Sequence, residues 1–133
     1  MKKIEHIGIA VKNLENSNHL FSKLFNNSPY KTESVESEQV KTSFFQVGEN
    51  KIELLEATDK NSSIARFINN KGEGIHHIAF EVDDIEAEIS RLKKEGFKVI
   101  NDVPKHGADN KLVAFLHPKS ANGVLIELCQ EIK

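Results

Sequence analysis

The chain repeats itself, and the repeat limits what it can fold into. The segment Ile-Glu-His-Ile-Gly-Ile-Ala-Val at 4–11 returns as Ile-His-His-Ile-Ala-Phe-Glu-Val at 75–82, which brings His6 onto His77, a shift of 71 residues (77 minus 6). The segment Lys-Ile-Glu-Leu-Leu at 51–55 returns as Leu-Ile-Glu-Leu-Cys at 125–129, which brings Glu53 onto Glu127, a shift of 74 (127 minus 53). The extra residues fit a longer turn, Pro118 to Gly123, where the first half has only Gly48, Glu49 and Asn50. Two landmarks at nearly one offset make the chain two similar halves, which we place at about 1–57 and 74–133 with a linker at 58–73.

Both halves show the same order of patterns. A strand comes first, with large apolar residues alternating: Ile7, Ile9 and Val11, then Ile78, Phe80 and Val82. A helix follows, its buried stripe formed by Leu14, Phe21, Leu24 and Phe25 in one half and by Ile85, Ile89 and Leu92 in the other. Asp83 or Asp84 is the N-cap of the second helix and Gly96 its C′ residue. Three further strands are expected near 29–35, 39–47 and 50–56, and near 97–102, 111–117 and 123–130. The linker carries one short amphipathic helix with Ile64, Phe67 and Ile68, and the acidic stretch Glu33–Glu38 reads as a solvated hairpin tip. One βαβββ unit of this size buries too little apolar surface alone. Two such modules paired in a single domain, an α+β arrangement, bury more and share a concave half-barrel surface.

Composition excludes several classes of function. A formal net charge of -2 offers no basic field for nucleic acid or an anionic membrane. Cys129 is the only cysteine, so no intramolecular disulfide forms. The apolar run after Lys2 and Lys3 is broken at His6 and Lys12, too short for a secretory core, and the expected location is the cytoplasm.

Strand parity then singles out four polar residues. A lone strand histidine is ordinarily a packed or surface residue, but here the repeat supplies two. His6 lies on the face opposite Ile7 and Ile9, with small Gly8 and Ala10 beside it, and His77 has Ala79 in the same place. His76 points the other way and reads as structural. Ile52 and Leu54, like Ile126 and Leu128, claim the helix-facing side, so Glu53 and Glu127 turn toward the histidine face. A carboxylate between Ile and Leu is costly unless something pairs with it. The set His6, Glu53, His77 and Glu127 makes a four-ligand site for one divalent ion. Its mixed nitrogen and oxygen donors suit Co, Mn, Ni or Fe at least as well as Zn; two separate buried His–Glu pairs are the alternative.

At this point the chain resembles a known family. Its two strand–helix–three-strand modules, with His and Glu on first and last strands, are similar over the whole length to the vicinal-oxygen-chelate (glyoxalase/bleomycin resistance/dioxygenase) superfamily. Three stretches resemble methylmalonyl-CoA epimerases within it: 4–15, 74–85, and the most specific one, which reads Val-Pro-Lys-His-Gly-Ala at 103–108, Val-Ala-Phe-Leu-His-Pro-Lys-Ser at 113–120 and Gly-Val-Leu-Ile-Glu-Leu at 123–128. Carried over by position, the family's metal ligands fall on the same four residues. Family members vary at the Glu53 position, and some place a further glutamate on the third strand of the first half, where this chain reads Val-Lys-Thr-Ser-Phe-Phe at 40–45.

The resemblance implies interconversion of the C2 epimers of methylmalonyl-CoA, through an enolate stabilised by one divalent ion per chain. Proton abstraction and return fall to Glu127 and Glu53, or to Glu127 alone with the enolate turning; the sequence leaves both open. The coenzyme A phosphates require cations, and Lys119 with Ser120 is the first choice, His117 the second. Lys105 and Gly107 belong to the motif and shape a loop, while His19 and His106 read as surface. The resemblance also implies a homodimer. Three other readings compete. A glyoxalase I-type lactoylglutathione lyase is opposed by the 103–120 motif, and a ring-cleaving dioxygenase by the fourth ligand. A drug-binding protein of the same fold is opposed by the intact ligand set.

Overall fold

The computed structural model describes residues 1–133. In chain order the elements are β1 (Lys3–Ala10), α1 (Leu14–Phe25), β2 (Lys31–Val35), β3 (Val40–Val47), β4 (Asn50–Ala57), α2 (Ser63–Lys71), β5 (Gly74–Glu81), α3 (Ile85–Lys94), β6 (Lys105–His106), β7 (Lys111–Leu116) and β8 (Ile126–Glu131), with short 3-10 turns at Glu36–Glu38 and Pro118–Ser120. The chain forms two compact units, His6–His76, and His77–Lys133 together with Met1–Glu5. Strands run β2-β3-β4-β1 in the order of the first module and β5-β8-β7-β6 in that of the second. In each, the first strand pairs parallel with the last, and the remaining pairs are antiparallel.

The repeat persists at the level of single hydrogen bonds. Asn13 caps α1 by accepting from the Asn16 amide, and Asp84 caps α3 by accepting from the Ala87 amide. Each such cap stabilises its helix by about 1 kcal/mol. The next amide also finds a partner on the last strand: Leu14 N–H donates to Glu56, and Ile85 N–H donates to Gln130 at 2.8 Å. Both helices are thereby pinned to the strands that carry Glu53 and Glu127. Gly96 (φ 96°) closes α3 as expected.

In the first unit, α1 covers one sheet face, where Val11, Leu14, Phe45 and Leu54 are buried with Phe21 and Phe25 packed against them. Leu24 does not join this stripe and is 68% exposed. At ten residues from Leu14 it points roughly 80° away from it, whereas Phe21 and Phe25 return to the same side. On the other face α2 seals one end, burying Ile64 against Ala10, Val40 and Leu55. In the second unit α3 contributes Ile85, Ile89 and Leu92 to a cluster with Val82, Ala114, Leu116 and Leu128, each large side chain worth about 1.5–3 kcal/mol on burial. Met1–Glu5 completes this unit: Lys2 N–H donates to the Glu81 carbonyl at 2.9 Å, and the Lys2 ammonium lies 3.1 Å from Asp83.

One expected strand is not formed. Within 97–102 only Val99 bridges, to Leu116, and a two-residue strand at Lys105–His106 takes the edge position instead. Asn101 is the cause. Its side-chain oxygen takes the Phe115 N–H at 2.9 Å, the group a continuing ladder would need. The acidic tip Glu36–Glu38 is a 3-10 turn ended by Gln39 in the left-handed region.

Candidate metal and active site

In the first unit the register places Glu53 between two partners. Gly8 lies beside it on β1 and Phe44 on β3. In the second unit Ala79 and Phe115 flank Glu127 in the same way. The small residue leaves space over the carboxylate and the aromatic walls it. Each ring also meets the module's histidine edge-on: Phe44 against His6 at 6.1 Å and 87°, Phe115 against His77 at 6.0 Å and 86°.

All four expected ligands are buried. His6 Nε2 stands 3.2 Å from Glu53 Oε1, and His77 Nε2 stands 3.3 Å from Glu127 Oε1. Each module therefore presents one imidazole nitrogen and one carboxylate oxygen at nearly the same separation. Thr42, one diagonal step along β3, donates its hydroxyl to Glu53 Oε2 at 2.8 Å. Parity gave no reason to single out Thr42, because the contact is diagonal and requires the β3–β4 register. His6, His77 and Glu127 are buried donors of the kind that hold a metal ion. Glu53 falls outside that group.

The remaining candidates sit as follows. His76 turns away from His77's face and packs edge-on against Phe67 of α2 at 4.9 Å. Lys119 is exposed in the turn before β8. Ser120 Oγ accepts from the Lys98 amide at 3.1 Å and donates to the His117 carbonyl at 3.0 Å, and His117 Nδ1 accepts from the Lys119 amide. The last two residues thus shape the turn that carries the lysine. His19 and His106 are exposed. Gly107 lies against Val113 so closely that a Cβ there would meet Val113 Cγ1 at 2.9 Å. Cys129 is buried on the Glu127 face of β8, where burial, reinforced by the negative charges of Glu127 and Glu5, pushes its thiol far above the ordinary range.

The profile of the glyoxalase/bleomycin resistance protein/dioxygenase superfamily matches residues 5–115. The chain belongs to this superfamily. Its βαβββ modules give it the superfamily's glyoxalase-like α+β fold: a hypothetical protein from Bacillus halodurans superposes with a TM-score of 0.95 at 44% identity, over 98% of this chain and 95% of that one. A methylmalonyl-CoA epimerase of Streptomyces coelicolor in complex with 2-nitronate-propionyl-CoA superposes equally well, TM-score 0.95 at 31% identity, with the same coverage of 98% and 95%. The mitochondrial methylmalonyl-CoA epimerase of Dictyostelium discoideum is 41% identical over 95% of this chain and 76% of its own length. Among superfamily members, then, this one is related to methylmalonyl-CoA epimerases over nearly its whole length, and its buried His, His and Glu donors suit a metal site. No helix is long and apolar enough to cross a membrane.

Proposed function

We propose that this protein is a metal-dependent methylmalonyl-CoA epimerase that exchanges the proton at C2 of its substrate. The observation that carries the reading is the duplicated His–carboxylate pair, at 3.2 and 3.3 Å, walled by an aromatic and faced by a small residue in both modules. The donor set fits a divalent ion. Two imidazole nitrogens and carboxylate oxygens, all buried, are costly in apolar surroundings unless a cation or proton lies between them. His6, His77 and Glu127 would hold the ion, with Glu53 as the fourth candidate ligand. When bound, the ion supplies Lewis acidity for the negative charge that develops as the C2 proton leaves.

The chain's own groups do the rest. Glu127 is placed by Ile126 and Leu128, whose side chains pack toward α3, so its carboxylate is held on the site face to take and return the proton. Phe44 and Phe115 keep water from the carboxylates and fix the imidazole planes. Gly8 and Ala79 leave room for a substrate over them. Lys119 meets a coenzyme A phosphate from its exposed turn, and the ring–hydroxyl pair His117 and Ser120 sets that turn. The test is epimerisation of methylmalonyl-CoA by chelated and metal-restored protein, with a glutathione hemithioacetal as the competing substrate. Activity that vanishes on chelation and returns with metal supports the reading. Turnover of the hemithioacetal alone would replace it with a lactoylglutathione lyase.

A further inference from the structure

Beside their carboxylates the two modules differ at one position where a hydroxyl stands in one and an alkyl group in the other. Shifting by the 71 residues that carry Phe44 onto Phe115 carries Thr42 onto Val113. Both residues are buried on the site face, Thr42 with no exposed surface. Thr42 spends its hydroxyl on Glu53 Oε2 at 2.8 Å, while the other oxygen, Oε1, faces His6. Val113 has no hydroxyl to give Glu127, and packs instead with Ala79 and Cys129. A β-branched residue on a strand has a restricted χ1, so the Thr42 donor is held in place. A charge-assisted hydrogen bond between buried groups fixes the acceptor's rotamer as well.

We infer that Thr42 is a positioning residue that holds Glu53 in the orientation needed to ligate the ion with Oε1, and that it thereby makes the two carboxylates of the duplicated site inequivalent. The inference rests on the metal reading above. The Glu53 carboxylate is tied through Oε2, which leaves Oε1 toward the imidazole, and at the matching place in the second module stands the apolar Val113. An outer partner of this kind changes metal affinity about 10- to 100-fold when removed.

The experiment is Co(II) titration of metal-free wild type and of Thr42→Val and Thr42→Ser, followed by competition with a chelator and by the visible spectrum of the bound ion. Thr42→Val is expected to bind Co(II) about tenfold or more weakly with an altered spectrum, and Thr42→Ser to recover most of the affinity. In a Glu53→Ala background Thr42→Val should weaken binding no further, a non-additivity that loss of packing alone would not produce. Thr42→Ala, which also lacks the hydroxyl, serves if the valine variant does not fold. Wild-type affinity in Thr42→Val or Thr42→Ala, or a serine variant as weak as the valine one, overturns the inference. Failure of wild type itself to bind Co(II) overturns the metal reading beneath it.

Discussion

His77 and His76 are neighbours in sequence with opposite surroundings: His77 meets Phe115 and Glu127 on the site face, and His76 meets Phe67 on the α2 side. This alternation gives the first prediction. His6→Ala and His77→Ala should each abolish stoichiometric binding of a divalent ion, while His76→Ala binds nearly normally. Metal analysis after dialysis decides it. Loss in His76→Ala with retention in His77→Ala would mean that the site is built on the other face.

Lys119 is exposed, and its turn is held by Ser120 and His117 rather than by the lysine itself. Lys119→Ala should leave stability and metal content unchanged and weaken coenzyme A thioester binding about two- to fivefold, the worth of one exposed ion pair. Isothermal titration with a coenzyme A thioester is the measurement. Unchanged affinity would remove Lys119 from the phosphate site.

Gly107 touches Val113, which packs on the Glu127 face. Gly107→Ala forces its Cβ against the valine and should lower stability by about 1–3 kcal/mol, as overpacking does. Urea unfolding reads this directly. A Val113→Ala change in the same chain opens space and should recover part of the loss; no loss in Gly107→Ala would show that the loop shifts freely.

Burial and neighbouring carboxylates raise the Cys129 thiol, so the thiolate is scarce in the folded protein at any ordinary pH. A disulfide reagent at pH 8 should leave Cys129 unmodified until the protein is unfolded, then label it once per chain. Fast labelling of the native protein would contradict both the burial and the direction of the shift.

Much of this site is legible in the sequence because its information is periodic. Alternation along β1, β4, β5 and β8 is enough to turn His6, Glu53, His77 and Glu127 away from the helices, and the repeat distinguishes His77 from His76. What was missed depends on register or on side chains that compete with the backbone. Thr42 reaches Glu53 diagonally, a relation set by the pairing of β3 with β4. The strand expected at 97–102 fails because one asparagine takes an amide from its neighbour, and Leu24 is apolar but lies off the helix stripe. The local hydrogen bonds of the Ser120 hydroxyl, to the Lys98 amide and the His117 carbonyl, likewise depend on a turn geometry that strand alternation does not encode.

The proposed chemistry is movement of the C2 proton of methylmalonyl-CoA by Glu127 beside a bound divalent ion. Its most direct test is the C2–H signal of a single methylmalonyl-CoA epimer, followed by proton magnetic resonance in deuterated buffer. Metal-loaded wild type should replace the C2 proton with deuterium as the second epimer appears, and chelated protein should do neither. Glu127→Gln, which keeps an oxygen donor but loses the base, should retain metal and slow exchange by about 10²-fold or more. Exchange at the wild-type rate in Glu127→Gln, or none with metal-loaded wild type, would contradict the account.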